Sequence, residues 1–179
     1  MIEMKAISLL ALALVSATFA SAEIEKTSVI TKKGIELFWW PKIYTPTGWA
    51  RFQEESQSNG CNMLGPMGSN FDDAPAIIYS RAFYLPNKTE RGTIAQFIQE
   101  DQAEMKQHML GAIVREIEAT PTKNYKIRTF SVTLSGKAYE QVCYGIEGQY
   151  RILFCVSAKS EKDLKKALPV FREILAKYH

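Results

Sequence analysis

Residues Thr133 to Leu175 read TLSGKAYEQVCYGIEGQYRILFCVSAKSEKDLKKALPVFREIL, and this stretch decides the fold. Tyr139 to Ile146 and Tyr150 to Ala158 are two dense apolar runs. They flank a turn at Glu147-Gly148-Gln149, which predicts a β-hairpin. The second run is apolar almost throughout, as expected of a central strand buried on both faces. Ser160 then caps a helix, with Asp163 as a capping-box relative at the third position. Leu164, Leu168, Phe171, Leu175 and Tyr178 form one apolar stripe at helical spacing, so this helix turns a face to the core. Pro169 lies inside it, cannot donate to the residue 165 carbonyl, and predicts a kink.

Working outward, Lys126 to Leu134 alternates in part through Ile127, Phe130, Val132 and Leu134 and predicts a third strand. Pro121 to Asn124 is a break. Thr93 is a good N-cap for an earlier helix. Ile94, Phe97, Ile98, Met105 and Met109 share one of its faces, and Gly111 ends or interrupts it. Ile113 to Ile117 reads equally as a continuation of that helix or as a strand. Ala76 to Leu85 is a strong strand closed by Pro86-Asn87. Cys61 to Leu64 is a weak strand, followed by a turn-rich stretch from Gly65 to Pro75. Ile24 to Ile30 and Ile35 to Trp40 are strands joined by a turn at Lys32-Lys33-Gly34. The order strands, helix, strands, helix gives an α+β domain, an antiparallel sheet with helices packed on it.

Together with Pro46-x-Gly48-Trp49, the stretch from Thr133 onward resembles the Mog/PsbP-like fold group. That group includes PsbP-like and DcrB-like small envelope proteins. The matching wording is a Leu-x-Gly strand, a hairpin, a Ser/Ala-rich turn, and a helix with central Pro169 and Phe171. The resemblance extends over Ile35 to Tyr178 and is specific over about residues 133–178. It implies an α/β/α sandwich and a habit of acting as a binding or accessory protein. These are packing residues, so no activity follows from them.

The first residues give an address. Lys5 precedes an apolar run from Ala6 to Val15, and small residues end at Ala20-Ser21-Ala22. This is the pattern of a cleavable signal peptide over residues 1–22, leaving one globular domain over 23–179. The run is too short for a spanning helix, which needs about 20 apolar residues. Export to the periplasm or outside the cell is expected, with no stable membrane insertion after cleavage.

The net charge is +3, from 22 Lys and Arg against 19 Asp and Glu. That is too mild and too scattered for nucleic-acid binding. There are three cysteines, Cys61, Cys143 and Cys155. In an oxidising compartment one disulfide and one free thiol are expected. A hairpin loop centred on Gln149 sets Cys143 opposite Cys155 and favours that pair. A two-residue turn at Glu147-Gly148 sets Cys143 opposite Ile152 instead. Cys61 with either partner is the competing connectivity, and three buried free thiols are also compatible.

Chemistry-bearing motifs are scarce. The histidines are His108, in the polar part of the first helix one turn from Glu104, and the C-terminal His179. Zinc spacings, a P-loop and G-x-G-x-x-G do not occur. No cofactor or metal is expected, and no enzyme of a common type. Paired carboxylates occur at Glu54-Glu55, Asp72-Asp73 and Asp101-Glu104, and acid chemistry needs two of them facing across a cleft. Asn70, Asp72 and Asp73 offer oxygens to a ligand, or an Asx-stabilised turn. Phe38, Trp39 and Trp40 are consecutive, so Trp39 faces away from its neighbours in a strand. Trp39, Trp40 and Trp49 are core rings or interface anchors, and Tyr44, Tyr84 and Tyr125 are further rings that the sequence does not place.

The leading expectation is therefore a non-catalytic secreted or periplasmic binding protein with a protein partner in the cell envelope. An inhibitor or immunity-type role is one version. The binding candidates are Trp39, Trp40, Trp49, Asn70, Asp72 and Asp73. A small-ligand or lipid-binding module is the first alternative, and an enzyme using paired carboxylates the second.

Overall fold

A computed structural model of the chain describes residues 24–31, 34–119, 122 and 126–178. The expected leader and Tyr125 lie outside these residues. The strands are β1 (Ile24–Thr31), β2 (Gly34–Pro41), β3 (Trp49–Arg51), β4 (Asn62–Pro66), β5 (Ala76–Tyr84), β6 (Ile113–Ile117), β7 (Arg128–Leu134), β8 (Ala138–Glu147) and β9 (Tyr150–Ala158). The helices are α1 (Gln53–Asn59), α2 (Lys88–Arg91), α3 (Ile94–His108) and α4 (Glu161–Lys177).

The sheet runs β1-β2-β5-β9-β8-β7-β6, with β4 also pairing β5 and β3 pairing β4. Every ladder is antiparallel. The apolar β9 sits between β5 and β8, as its composition requires. One face carries α4, whose Ala167, Phe171, Ile174 and Leu175 pack on Ile78, Ile152, Phe154 and Val156. The other face carries α3 over Phe130, Val142, Tyr144 and Leu153. Beside α3 lies a smaller cluster of Phe52, Cys61, Met63 and Ala74, around α1 and the loop after β4. The result is the helix–sheet–helix arrangement expected of an α+β domain.

Local signals position both long helices. The Ser160 hydroxyl accepts from the Asp163 N–H at 3.1 Å, and α4 continues through Pro169 for 17 residues. Thr93 and Gln96 form a full capping box at the start of α3. Ile113–Ile117 is a strand, set on the sheet edge against β7. The short elements β3, α1 and α2 carry no long periodic pattern, and the sequence reading passes over them. Helix α1 is fixed at its end by Gly60, at φ 61°, where a Cβ would meet the Phe38 ring at 2.3 Å.

The expected Cys143–Cys155 disulfide is absent. The hairpin pairs Glu147 with Tyr150, so Gly148-Gln149 form a two-residue loop. That register sets Cys143 opposite Phe154 and Cys155 opposite Val142. The two cysteines then point to opposite faces, Cys143 toward α4 and Cys155 toward α3. All three cysteines are free and buried. Burial pushes the Cys61 and Cys143 thiols up to about 11. Reductant should therefore leave the melting temperature unchanged. A thiol reagent should count three groups in denaturant and react slowly with the native chain. A reductant-induced drop in melting temperature would show that a disulfide exists.

Candidate functional site

Helix α3 does not cover its sheet face completely. Its N-terminal half is pinned by Phe97, which meets Phe83 and Tyr144 edge-on at 5.8 and 5.4 Å between ring centres. Toward its C-terminus a cavity of about 440 Å³ opens between the helix and β5, β8 and β9. Phe83, Met105, Met109 and Leu153 supply apolar wall, while Asp101, Glu104, Glu140, Arg81 and His108 supply charge or polarity.

The charged groups come from two sources. Asp101, Glu104 and His108 recur at helical spacing along α3, so they share one edge of it. Arg81 and Glu140 occupy inward positions on strands. Arg81 alternates with Tyr79 and Phe83 on β5, opposite Leu153. Glu140 alternates with Val142 and Tyr144 on β8, opposite Ser157. A charged side chain at an inward strand position must find polar company or change its charge state.

Asp101 accepts a hydrogen bond from the Tyr144 hydroxyl at 2.6 Å. Burial raises the Asp101 pKa above the usual carboxylate range, and nearby Glu104 adds to this. The Tyr144 bond and the Arg81 charge pull the other way. Burial likewise raises Glu140, opposed by a hydrogen bond with Ser157 and reinforced by the charge of Asp101. Arg81 lies with its guanidinium 4.8 Å from the Phe83 ring centre. Three carboxyl groups thus share the cavity with one guanidinium, and a positive charge is the complement this arrangement lacks.

A second cavity of about 220 Å³ shares Phe83, Asp101 and Glu104 with the first and extends it along α3. Its end is built by Arg151, which is 8% exposed. Arg151 donates to the Arg91 carbonyl at 2.6 Å, ion-pairs with Glu100, and sits 5.2 Å from the Phe97 ring centre. This one side chain ties α2 and α3 to β9.

The binding candidates named from sequence are elsewhere. Trp40 and Trp49 are core residues, 4% and 9% exposed. Trp39 faces the α4 side and is half-buried, stacked on Tyr84 at 5.3 Å. Tyr44 lies under Lys177, 4.3 Å from its ring centre. Asn70 and Asp73 bind each other: the Asn70 amide donates to Asp73 at 2.7 Å and accepts from the Asp73 N–H at 2.9 Å. The Asp72 carbonyl accepts from Lys159. These three residues therefore build a turn against the end of β9. Glu54 and Glu55 lie in the first turn of α1. Asp101-Glu104 and His108 stand out in the sequence, whereas Arg81 and Glu140 do not. The signal that finds those two is a charge in the inward register of an otherwise apolar strand.

No family model matches the chain, and no curated protein does. Among solved structures, it is similar to the solution structure of cyanobacterial PsbP (CyanoP) from Synechocystis sp. PCC 6803. The identity is 15% and the TM-score 0.48, covering 88% of this chain and 92% of that one. It is also similar to PA94 from Pseudomonas aeruginosa, a protein of unknown function described as a candidate regulator. There the identity is 6% and the TM-score 0.47, covering 85% and 94%.

Proposed function

We propose that the chain is a non-catalytic, exported binding module whose groove between α3 and the sheet takes a small organic cation with an apolar body. The observation that carries this reading is the convergence of Asp101, Glu104 and Glu140 in one cavity with Phe83, Met105 and Met109. A volume of about 440 Å³ suits a small ligand. An ammonium group would neutralise the surplus carboxylate charge, and the apolar wall would take its hydrocarbon portion.

The test is calorimetric titration with a series of alkylamines and their N-acetyl counterparts. The amines should bind and the uncharged amides should not. Asp101→Asn and Glu140→Gln should each weaken amine binding about tenfold or more, since a charge-assisted contact is lost. Glu54→Gln, on α1 and outside the cavity lining, should change nothing. Equal binding of amine and amide would refute the reading.

One observation favours a catalytic second reading: Asp101 and Glu140 share the cavity, and both are held protonated to higher pH than usual. Paired-carboxylate chemistry needs one of the two protonated while the other is ionised, and the Asp101 charge that opposes ionisation of Glu140 works in that direction. Turnover of chromogenic glycosides that Glu140→Gln abolishes would replace the binding reading with this one. A protein partner in the envelope has less support, because Trp40 and Trp49 are buried and Asn70 and Asp73 satisfy each other.

A further inference from the structure

The β1–β2 hairpin is paired along its whole length, from Ile24↔Pro41 to Thr31↔Gly34. Strand β2 meets β5 in register only at Trp39↔Ala82. The distal part of the hairpin is therefore a two-stranded ribbon projecting past the sheet. Its α4-side face carries Ile30 and Ile35, which are 86% and 72% exposed, then Leu37 at 45%. Cross-strand register places Ile30 beside Ile35, Ser28 beside Leu37 and Lys26 beside Trp39. Lys26 lies 5.9 Å from the Trp39 ring centre, and Trp39 stacks on the partly exposed Tyr84.

We infer that this face of the hairpin docks on an anionic lipid surface. Two features of the ribbon select that occupant. The first is the order of side chains: aliphatic Ile30, Ile35 and Leu37 near the tip, then an aromatic base of Trp39 and Tyr84. Hydrocarbon-seeking residues tipped beyond an aromatic belt match the depth profile of a bilayer interface. The second is charge. Lys26 is the charged residue on this face of the two strands, while Glu25 and Glu36 fall on the opposite face by alternation. Lys32 and Lys33 join the strands in sequence. Apolar insertion plus basic residues is the two-signal combination that gives reversible attachment to anionic lipid. A second copy of the chain fits less well, since it would bring Lys26 against Lys26. The inference is independent of the α3 groove, which opens on the other face of the sheet.

Vesicle co-sedimentation tests it, using the chain from Glu23. All the described strands and helices lie in that portion, and it lacks the apolar run of residues 6–15, which would bind lipid by itself. The chain should sediment with mixed phosphatidylglycerol–phosphatidylcholine vesicles, less with phosphatidylcholine alone, and less at high salt. Ile30→Ser with Ile35→Ser should keep the circular dichroism spectrum and weaken sedimentation about tenfold or more. Brominated lipid should quench emission, and Trp39→Phe should remove most of that quenching. Failure to sediment with anionic vesicles at low salt would overturn the inference. So would undiminished binding by the serine variant. A stoichiometric protein complex or a dimer that the serine variant abolishes, without lipid binding, would assign the face to that partner instead.

Discussion

Replacing Trp40 with alanine is expected to destabilise the fold by about 3–5 kcal/mol, the usual cost of truncating a large buried ring. Trp49→Ala should cost a similar amount, because its ring packs in the α4-side core with Ile43 and Leu64. Trp39→Ala should cost less, about 1–2 kcal/mol, since the ring is half-buried and its main partners are Tyr84 and Lys26. Urea unfolding followed by circular dichroism reads all three. Trp40 adds a finer test. Its indole N–H is buried with no acceptor among the described residues. Trp40→Phe should therefore be close to neutral, because it keeps most of the ring while removing an unpaired donor. A Trp40→Ala variant as stable as the parent would mean that the ring lies on the surface, and the tryptophans would again be candidate anchors.

Those three rings also show how far a sequence reaches. The run Phe38-Trp39-Trp40 announces a strand, and alternation says that Trp39 faces away from its neighbours. It does not say what lies over each face. That depends on α1 returning over β2 and on α4 stopping short of the hairpin tip, both long-range matters. The Cys143–Cys155 pairing across the hairpin at Glu147 to Tyr150 fails for a smaller reason. Its residues are legible, but one step of register decides whether Cys143 meets Cys155 or Phe154, and local composition does not fix that step. The strongly periodic elements, β5, β9, α3 and α4, were readable because burial imposes their pattern on the chain. The groove was readable only in part. Asp101, Glu104 and His108 stand out as polar residues at helical spacing, whereas Arg81 and Glu140 gain meaning only once β5, β9 and β8 are known to be neighbours.

The groove makes a prediction about pH that joins its stability to its proposed ligand. Burial raises the pKa values of Glu140 and Asp101 above those of the unfolded chain, about 4. Between the unfolded and folded values the native state holds more protons, so stability falls as pH rises. The full contribution is present below about pH 4 and is lost once pH passes the raised values. Each unit of separation corresponds to about 1.4 kcal/mol. Glu140→Gln removes one titration and should flatten that decline. Relative to the parent, the variant should gain stability as pH rises from about 4 through the raised Glu140 value. Asp101→Asn should behave similarly while still accepting from the Tyr144 hydroxyl. Parallel pH curves for parent and Glu140→Gln would show that this carboxyl is solvated rather than buried. The same protons link to binding. An ammonium group in the groove favours the ionised carboxylates, so amine affinity should rise with pH through the raised pKa values. Within that range, calorimetry in buffers of different ionisation enthalpy should detect protons released on binding. Glu140→Gln should reduce that release, whereas a ligand held only by the apolar wall would release none.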